Sequence, residues 1–382
     1  MRDLFHIDQT ITFLNHGSFG ACPRPVFEEY QRWQRELERQ PVDFIGRRLN
    51  GLLDEARATL AGFINADVTR LTFVPNATAG VNLVVQSLDL HAGDEILTTD
   101  QEYGACDLTW EHFCKKHGAL YIKQPLPVPP ADVETWVDAL FAGVTPRTKM
   151  IFLSHIAAPT ATIFPVAEVC ARARAMGIMT LIDGAHAPGH IPIDLTAIDP
   201  DFYAGNCHKW LCAPKGSAFL YAHSNHHAWL EPLVISWGYT PEATFPAKTQ
   251  FTGTIDPAAY LTVPKAIEFH QGEAFTEGRD QCHRMVREIQ ERLSAFYNVP
   301  PLATGVWSAG LQMVSAPLPE TIKAEDVRVI WARFWEEHKV EVPFWAWRGR
   351  VYIRVSYQVY NRPEQLTTLF QTLRAVAPPS GG

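Results

Sequence analysis

The sequence predicts an α/β protein: a mostly parallel sheet sandwiched by helices, with a smaller α+β domain at the C-terminal end. Between residues 52 and 183, short apolar stretches of strand character alternate with stretches of helical period. After about residue 255 this alternation gives way to long helical stretches and two isolated strands. Apolar residues make up 47% of the 382-residue chain and charged residues 19%, enough for a sizeable core in two domains or in one large domain with a lobe attached.

The elements follow in order. Residues 52–64 have apolar side chains at 52, 53, 56, 60, 63 and 64, a helical period. A strand at 71–74, the turn Asn76-Ala77-Thr78-Ala79-Gly80 and a helical run at 81–88 come next. Strands are expected at 95–99, 120–123, 149–154 and 178–183, with helices at 107–116, 131–141 and 166–176. Strands separated by helices of this length pair in parallel and are covered on both faces. Such sheets bind ligands at the carboxyl ends of their strands, and Asp183 occupies one of those ends. Further on, 257–270 and 273–297 have helical periods, 311–315 and 351–356 are strand candidates, and the Trp-rich 326–338 is a helix between them. The expected division is an N-terminal segment at 1–20 near the active site, a large domain at 21–255 and a small α+β domain at 256–382, with 378–382 as a frayed tail.

Composition excludes several functions. The net charge is −8 and no long Lys/Arg run occurs, which argues against a nucleic-acid partner. No apolar stretch is long enough to cross a membrane, and Met1-Arg2-Asp3-Leu4-Phe5-His6 lacks a signal peptide's apolar core, so a cytoplasmic protein is expected. The 7 cysteines form no Cys-x-x-Cys pair, so neither a disulfide framework nor a metal site is expected.

Two residues carry the first chemical signal. Asp183 closes an apolar strand and opens Asp183-Gly184-Ala185-His186, and Lys209 lies in Gly205-Asn206-Cys207-His208-Lys209-Trp210. Pyridoxal 5'-phosphate (PLP) needs a lysine for its Schiff base and a carboxylate for its pyridinium nitrogen. His186 is placed to serve the cofactor's phenolic oxygen. The 76–80 turn puts a helix N-terminus, small residues and the Thr78 hydroxyl where a phosphate can approach. Arg354, opposite Ile353 and Val355 by strand alternation, can clamp a carboxylate. Taken singly, each has a plain structural use: Lys209 at the surface, Asp183 as a turn residue, His186 in a core, Asn76 or Thr78 as an N-cap, and Arg354 on a solvated strand face.

Together, in this order and spacing, the residues resemble the fold-type I PLP enzymes of the class V aminotransferase group, over nearly the whole chain. Within that group Leu14-Asn15-His16-Gly17-Ser18-Phe19-Gly20, Glu102-Tyr103-Gly104-Ala105 and Tyr352-Ile353-Arg354-Val355-Ser356 are similar to the isopenicillin N epimerase-like branch. The resemblance implies Lys209 as the Schiff-base lysine and Asp183 as the pyridinium partner. It implies Thr78, Ala79 and His208 at the phosphate, His186 at the phenolic oxygen and Tyr103 on the ring face. Arg354 would bind the substrate carboxylate with help from Asn15. A homodimer with shared sites is implied, Thr254 reaching a phosphate across the boundary. The chain departs from the group in two places: residues 340–350 hold no cysteine, against persulfide transfer of the desulfurase kind, and Ala158 stands where many relatives have asparagine.

The expected activity lies at Cα of an amino acid-type substrate. Lys209 removes the Cα proton. Return of a proton on the opposite face, with Tyr103 as candidate second acid, gives an epimerase or racemase. Protonation at the cofactor gives an aminotransferase, and loss of a β-substituent a carbon–sulfur lyase. A non-catalytic binding protein on the same scaffold is the remaining alternative.

Overall fold

The computed structural model describes residues 1–240 and 242–379. Its elements in chain order begin with α1 (Arg24–Arg39), α2 (Leu49–Phe63), β1 (Leu71–Val74), α3 (Ala77–Ser87), β2 (Glu95–Thr99), α4 (Gly104–His117) and β3 (Leu120–Gln124). Then come α5 (Val133–Phe141), β4 (Thr148–Ser154), α6 (Val166–Ala175), β5 (Met179–Asp183), β6 (Phe202–Asn206) and β7 (Ala218–Ala222). The C-terminal part contains α7 (Val263–Gln271), α8 (Glu273–Tyr297), β8 (Met313–Pro317), α9 (Val327–His338), β9 (Phe344–Trp347), β10 (Arg350–Ser356) and α10 (Glu364–Val376).

The large sheet has seven strands in the order β1–β7–β6–β5–β4–β2–β3. All neighbours are parallel except β7, which runs antiparallel to both β1 and β6. Side chains alternate between two separate cores. Leu97, Ile151, Leu153, Ile182, Tyr203 and Phe219 face one, and Ile96, Met150, Phe152, Leu181, Phe202 and Leu220 face the other. Burial on both faces explains why these strands are continuous apolar runs.

β6 and β7 were not foreseen from the sequence. Their Ala204, Gly205 and Ala218 lower strand propensity, but tertiary packing requires small residues. A Cβ on Gly205 would lie 2.6 Å from the Phe219 ring, and one on Gly80 would lie 3.1 Å from the Ala204 Cβ, where α3 presses on the sheet. The helix α1 was also not anticipated. The single helix expected at 257–270 is two, Ala258–Leu261 and Val263–Gln271; Pro264 has no N–H to continue the first and sits in the opening turn of the second.

The smaller sheet, antiparallel in the order β8–β10–β9, packs with α8, α9 and α10 around Val286, Ile289, Phe334, Ile353, Val355 and Leu369. The N-terminal segment is stitched to it. Leu14 is buried in the same core, Thr12–Phe13 pairs in parallel with Val340–Glu341, and the Ser356 N–H donates to the Leu14 carbonyl at 2.8 Å. The tail expected at 378–382 lies outside the described residues from 380 onward.

Candidate active site

A cavity of about 460 Å³ opens at the carboxyl ends of the central strands. Asp183 ends β5, Ser154 ends β4 directly opposite it in register, and Asn206 ends β6. Thr78 lies in the first turn of α3, Tyr103 is the N-cap of α4, and His208 and Lys209 follow β6; all line the cavity with Ser18, Phe19, Ala158 and His186.

Asp183 is buried. Its Oδ1 accepts the Ala185 N–H at 2.9 Å, and among the described residues its Oδ2 has only the weak Cys106 thiol as donor, at 3.5 Å. Burial raises its pKa, opposed by the Ala185 N–H and the Lys209 charge. Loss of water around the Lys209 amine, then the Arg354 charge, lower the lysine's pKa to about 8, while Asp183 and Cys106 pull the other way. His186 is neutral: burial, then Lys209 and Arg354, hold it well below the usual histidine value. Its Nε2 lies 3.2 Å from Lys209 Nζ.

The start of α3 is tied on both sides of Thr78. Asn206 Oδ1 accepts the Ala77 N–H and Asn76 Oδ1 accepts the Ala79 N–H, each at 2.8 Å. N-capping by Asn76 is therefore real, and it coexists with a cavity-lining Thr78 rather than competing with it. Ala79 itself is not among the lining residues. His208 Nδ1 is 3.2 Å from the Ser217 carbonyl, and burial lowers its pKa to about 4.

Arg354 is 5% exposed, so the face opposite Ile353 and Val355 is buried, not solvated. Its Nη1 donates to the Ala158 carbonyl at 3.0 Å, its guanidinium lies 5.2 Å from the Trp345 ring centroid, and it has no carboxylate partner among the described residues. The pKa falls to about 10 by burial, so it stays charged at neutral pH. Gly17 packs beside this group: a Cβ there would come 3.1 Å from Ser356 Oγ and 3.3 Å from the Trp210 ring. The β9–β10 hairpin is bolted to the large sheet, because Arg348 Nε and Nη2 grip the Asp100 carboxylate at 2.6 and 3.0 Å and Trp347 Nε1 donates to the Asp100 carbonyl at 2.7 Å.

Asn15 is buried behind the wall. Its amide donates to Glu341 at 3.0 Å and its oxygen accepts from the cavity-lining Ser18 at 2.5 Å, so its polar groups hold Ser18 in place. Thr254 lies in a separate cavity with Gly253, Trp237 and Asn50. Glu102, assigned no role from sequence, is a buried carboxyl that accepts from Thr99 Oγ1 at 2.6 Å and from the Ser154 N–H and hydroxyl at 2.8 and 2.6 Å. Burial raises its pKa to about 8, and Asp183 adds to the rise. Its position before Tyr103, at the end of a parallel strand, was the available signal.

The donors and acceptors fit PLP. A buried carboxylate with one weakly satisfied oxygen suits the pyridinium nitrogen. A lysine with no ion-paired acid among the described residues suits the aldehyde, and a capped helix N-terminus with a threonine suits a phosphate. Fold and site together define a PLP-dependent α/β enzyme. The aminotransferase class-V family model matches residues 23–333, and the chain belongs to that family. It is 33% identical to an isopenicillin N epimerase of Amycolatopsis lactamdurans, with 98% of each chain covered. It is 35% identical to an isopenicillin N epimerase of Streptomyces clavuligerus, covering 97% of this chain and 96% of that one. Among solved structures, the cystine C–S lyase C-DES superposes with a TM-score of 0.79 at 25% identity, covering 97% of this chain and 99% of that one; a variant of C-DES has glycine covalently linked to its PLP cofactor.

Proposed function

We propose that this protein is a PLP-dependent epimerase or racemase of the isopenicillin N epimerase-like kind, acting at Cα of an amino acid. When bound, PLP supplies an electron sink for the charge left at Cα. The remaining chemistry belongs to the chain. Arg354 binds the α-carboxylate, and Asp183 keeps a proton at the ring nitrogen. Thr78 and His208 hold the phosphate, and the His186 ring serves the phenolic oxygen. Lys209 Nζ takes the Cα proton, and the Tyr103 phenol returns one from another wall. The observation that carries the reading is that Lys209 and Tyr103, two groups able to move protons, reach one cavity from different elements. Burial, then Cys106 and Asp183, raise the Tyr103 pKa, which keeps the phenol protonated as a donor. The full-length similarity to two epimerases supports the same reading.

A carbon–sulfur lyase is the second reading, favoured by the likeness to C-DES along nearly all of both chains. It needs the same Lys209 and Arg354 but a β-leaving group instead of a second acid. One assay decides: L- and D-amino acids incubated in deuterium oxide, with Cα exchange, inversion, keto acid and sulfide followed in parallel. Inversion with exchange supports the epimerase. Sulfide and keto acid without inversion overturn it in favour of the lyase.

The active form in this reading is a homodimer. Trp237 is 86% exposed and lines the Gly253–Thr254 cavity, and Phe19, which lines the Lys209 cavity, is 73% exposed; exposed aromatic groups of this size suit a second copy. Thr254 then serves the neighbouring copy's phosphate site. Light scattering tests this: a stable monomer with full activity rules it out.

A further inference from the structure

Trp210 follows the candidate cofactor lysine and is 1% exposed. Its indole Nε1 lies 3.2 Å from His186 Nδ1. Indole N–H donates and never accepts, so His186 Nδ1 must be the unprotonated nitrogen. A neutral imidazole then carries its single proton on Nε2. That proton faces Lys209 Nζ at 3.2 Å. An ammonium has no lone pair to receive it, so a Lys209 that accepts this bond is a free amine.

The indole is held in the orientation this requires. It stacks on His190 with centroids 3.8 Å apart and planes 16° apart, and His16 covers it at 4.9 Å. His190 is oriented in turn. Its Nε2 accepts the Gln312 N–H at 2.7 Å, which leaves Nδ1–H to donate to the His186 carbonyl at 3.1 Å. Gln312 immediately precedes β8 of the smaller sheet. A directional chain of hydrogen bonds therefore runs from the smaller sheet through His190 to the His186 backbone, while Trp210 acts on the same imidazole from the side. Among the described residues, the titratable or charged groups acting on the Lys209–His186 pair are Asp183 from β5, Cys106 from α4, Arg354 from β10, and His190 and His208, and Tyr103 lines the same cavity.

We infer that Trp210 is a positioning residue whose indole N–H locks His186 in the Nε2–H tautomer, so that the imidazole presents a donor to the cavity and favours the free-amine form of Lys209. This rests on Lys209 as the cofactor lysine. Without the indole donor, His186 is free to protonate Nδ1 and accept at Nε2 from a charged Lys209, which stabilises the ammonium.

The test uses the full-length protein freed of PLP, wild type and Trp210→Phe, which keeps an aromatic ring and removes the N–H. Long-range ¹H–¹⁵N spectra of histidine-labelled protein, with His186 assigned by the signal lost in His186→Gln, read the tautomer directly. Wild type is expected to show a protonated Nε2 and a bare Nδ1, and Trp210→Phe a mixed or reversed tautomer. The pH profile of Lys209 labelling by an amine-reactive reagent, read on its peptide, is expected to shift upward by about one unit, a tenfold loss of free amine at fixed pH. A wild-type His186 protonated on Nδ1 overturns the inference even if Trp210→Phe does not fold. So does a folded Trp210→Phe with unchanged tautomer and labelling profile. PLP uptake by the wild type, followed by absorbance, reports separately on Lys209 as cofactor lysine.

Discussion

The Arg354 guanidinium donates through Nη1 to the carbonyl oxygen of Ala158, across the boundary between the two sheets. That single neutral acceptor orients the fork without neutralising it, and Trp345 supports it. Arg354 is not itself a lining residue of the cavity but is fixed to one, Ala158, so a carboxylate reaching past Ala158 would meet a desolvated, preoriented cation. Charge-assisted bonds of this kind contribute roughly 1.5–3 kcal/mol each. Arg354→Ala is expected to lower kcat/KM for amino acids by about 10- to 100-fold or more while PLP absorbance persists. Arg354→Lys is expected to restore little, because an ammonium cannot hold Ala158 and a carboxylate in one plane. Steady-state kinetics with PLP quantified per chain checks both; near-normal kcat/KM in Arg354→Ala removes the carboxylate role.

Asp183→Asn keeps an oxygen for the Ala185 N–H and removes the negative charge. Activity is expected to fall by at least about 100-fold, the scale for deleting a preorganised charge from an active site. The melting temperature of the PLP-free protein is expected to hold or rise. A buried carboxylate served by one N–H and a thiol costs desolvation that an amide avoids. Calorimetry beside turnover separates the two effects. A large drop in melting temperature would mean that Asp183 supports the fold.

Acid sensitivity follows from the buried histidines. Burial lowers the pKa of His16 to about 3 and those of His155, His208 and His270 to about 4, and holds His186 and His190 well below the ordinary value. Between their folded values and 6.5 the unfolded chain binds protons that the folded chain refuses, so stability falls as pH falls through that window. Glu102 acts in the opposite direction and offsets about one proton. Net uptake of roughly three to five protons on unfolding is expected near pH 5.5. Melting temperature against pH from 7 to 5 measures it; a flat curve contradicts the neutral histidine cluster.

What was legible in the sequence was local. Strand ends and the residues after them, Asp183-Gly184-Ala185-His186 and His208-Lys209, are short stretches whose placement follows from the α/β alternation. The cavity gathers Thr78, Tyr103, Asp183, His186, His208 and Lys209 for that reason. Long-range relationships were not legible. Asn15 meets Glu341 across 326 positions, and no pattern in either segment announces the pairing. The direction in which Arg354 points also depended on what covers its strand. β6 and β7 escaped notice because close packing demanded alanine and glycine where strand patterns favour larger residues. Glu102 looks like a polar turn residue until the Ser154 and Thr99 donors are seen to enclose it.

Glu102 supports a prediction independent of any assay for activity. Its carboxyl is buried beside Asp183, and its pKa is about 8 against 4.5 for an ordinary glutamate. A raised folded pKa gives stability that is fully present below the unfolded value and is lost as pH rises through the folded value. Glutamine mimics the protonated acid in shape and does not titrate. Its N–H takes the place of the acid's O–H toward the Thr99 hydroxyl, while its oxygen accepts from Ser154, so any cost of Glu102→Gln is constant with pH. The difference between the two proteins therefore isolates the titration. Relative to the variant, wild type is expected to lose about 1.4 kcal/mol per pH unit between roughly 5 and 8. Urea unfolding of both PLP-free proteins at pH 5, 6.5 and 8 measures this. A difference independent of pH would mean that Glu102 is already ionised at pH 5, with the Thr99 and Ser154 donors outweighing its burial.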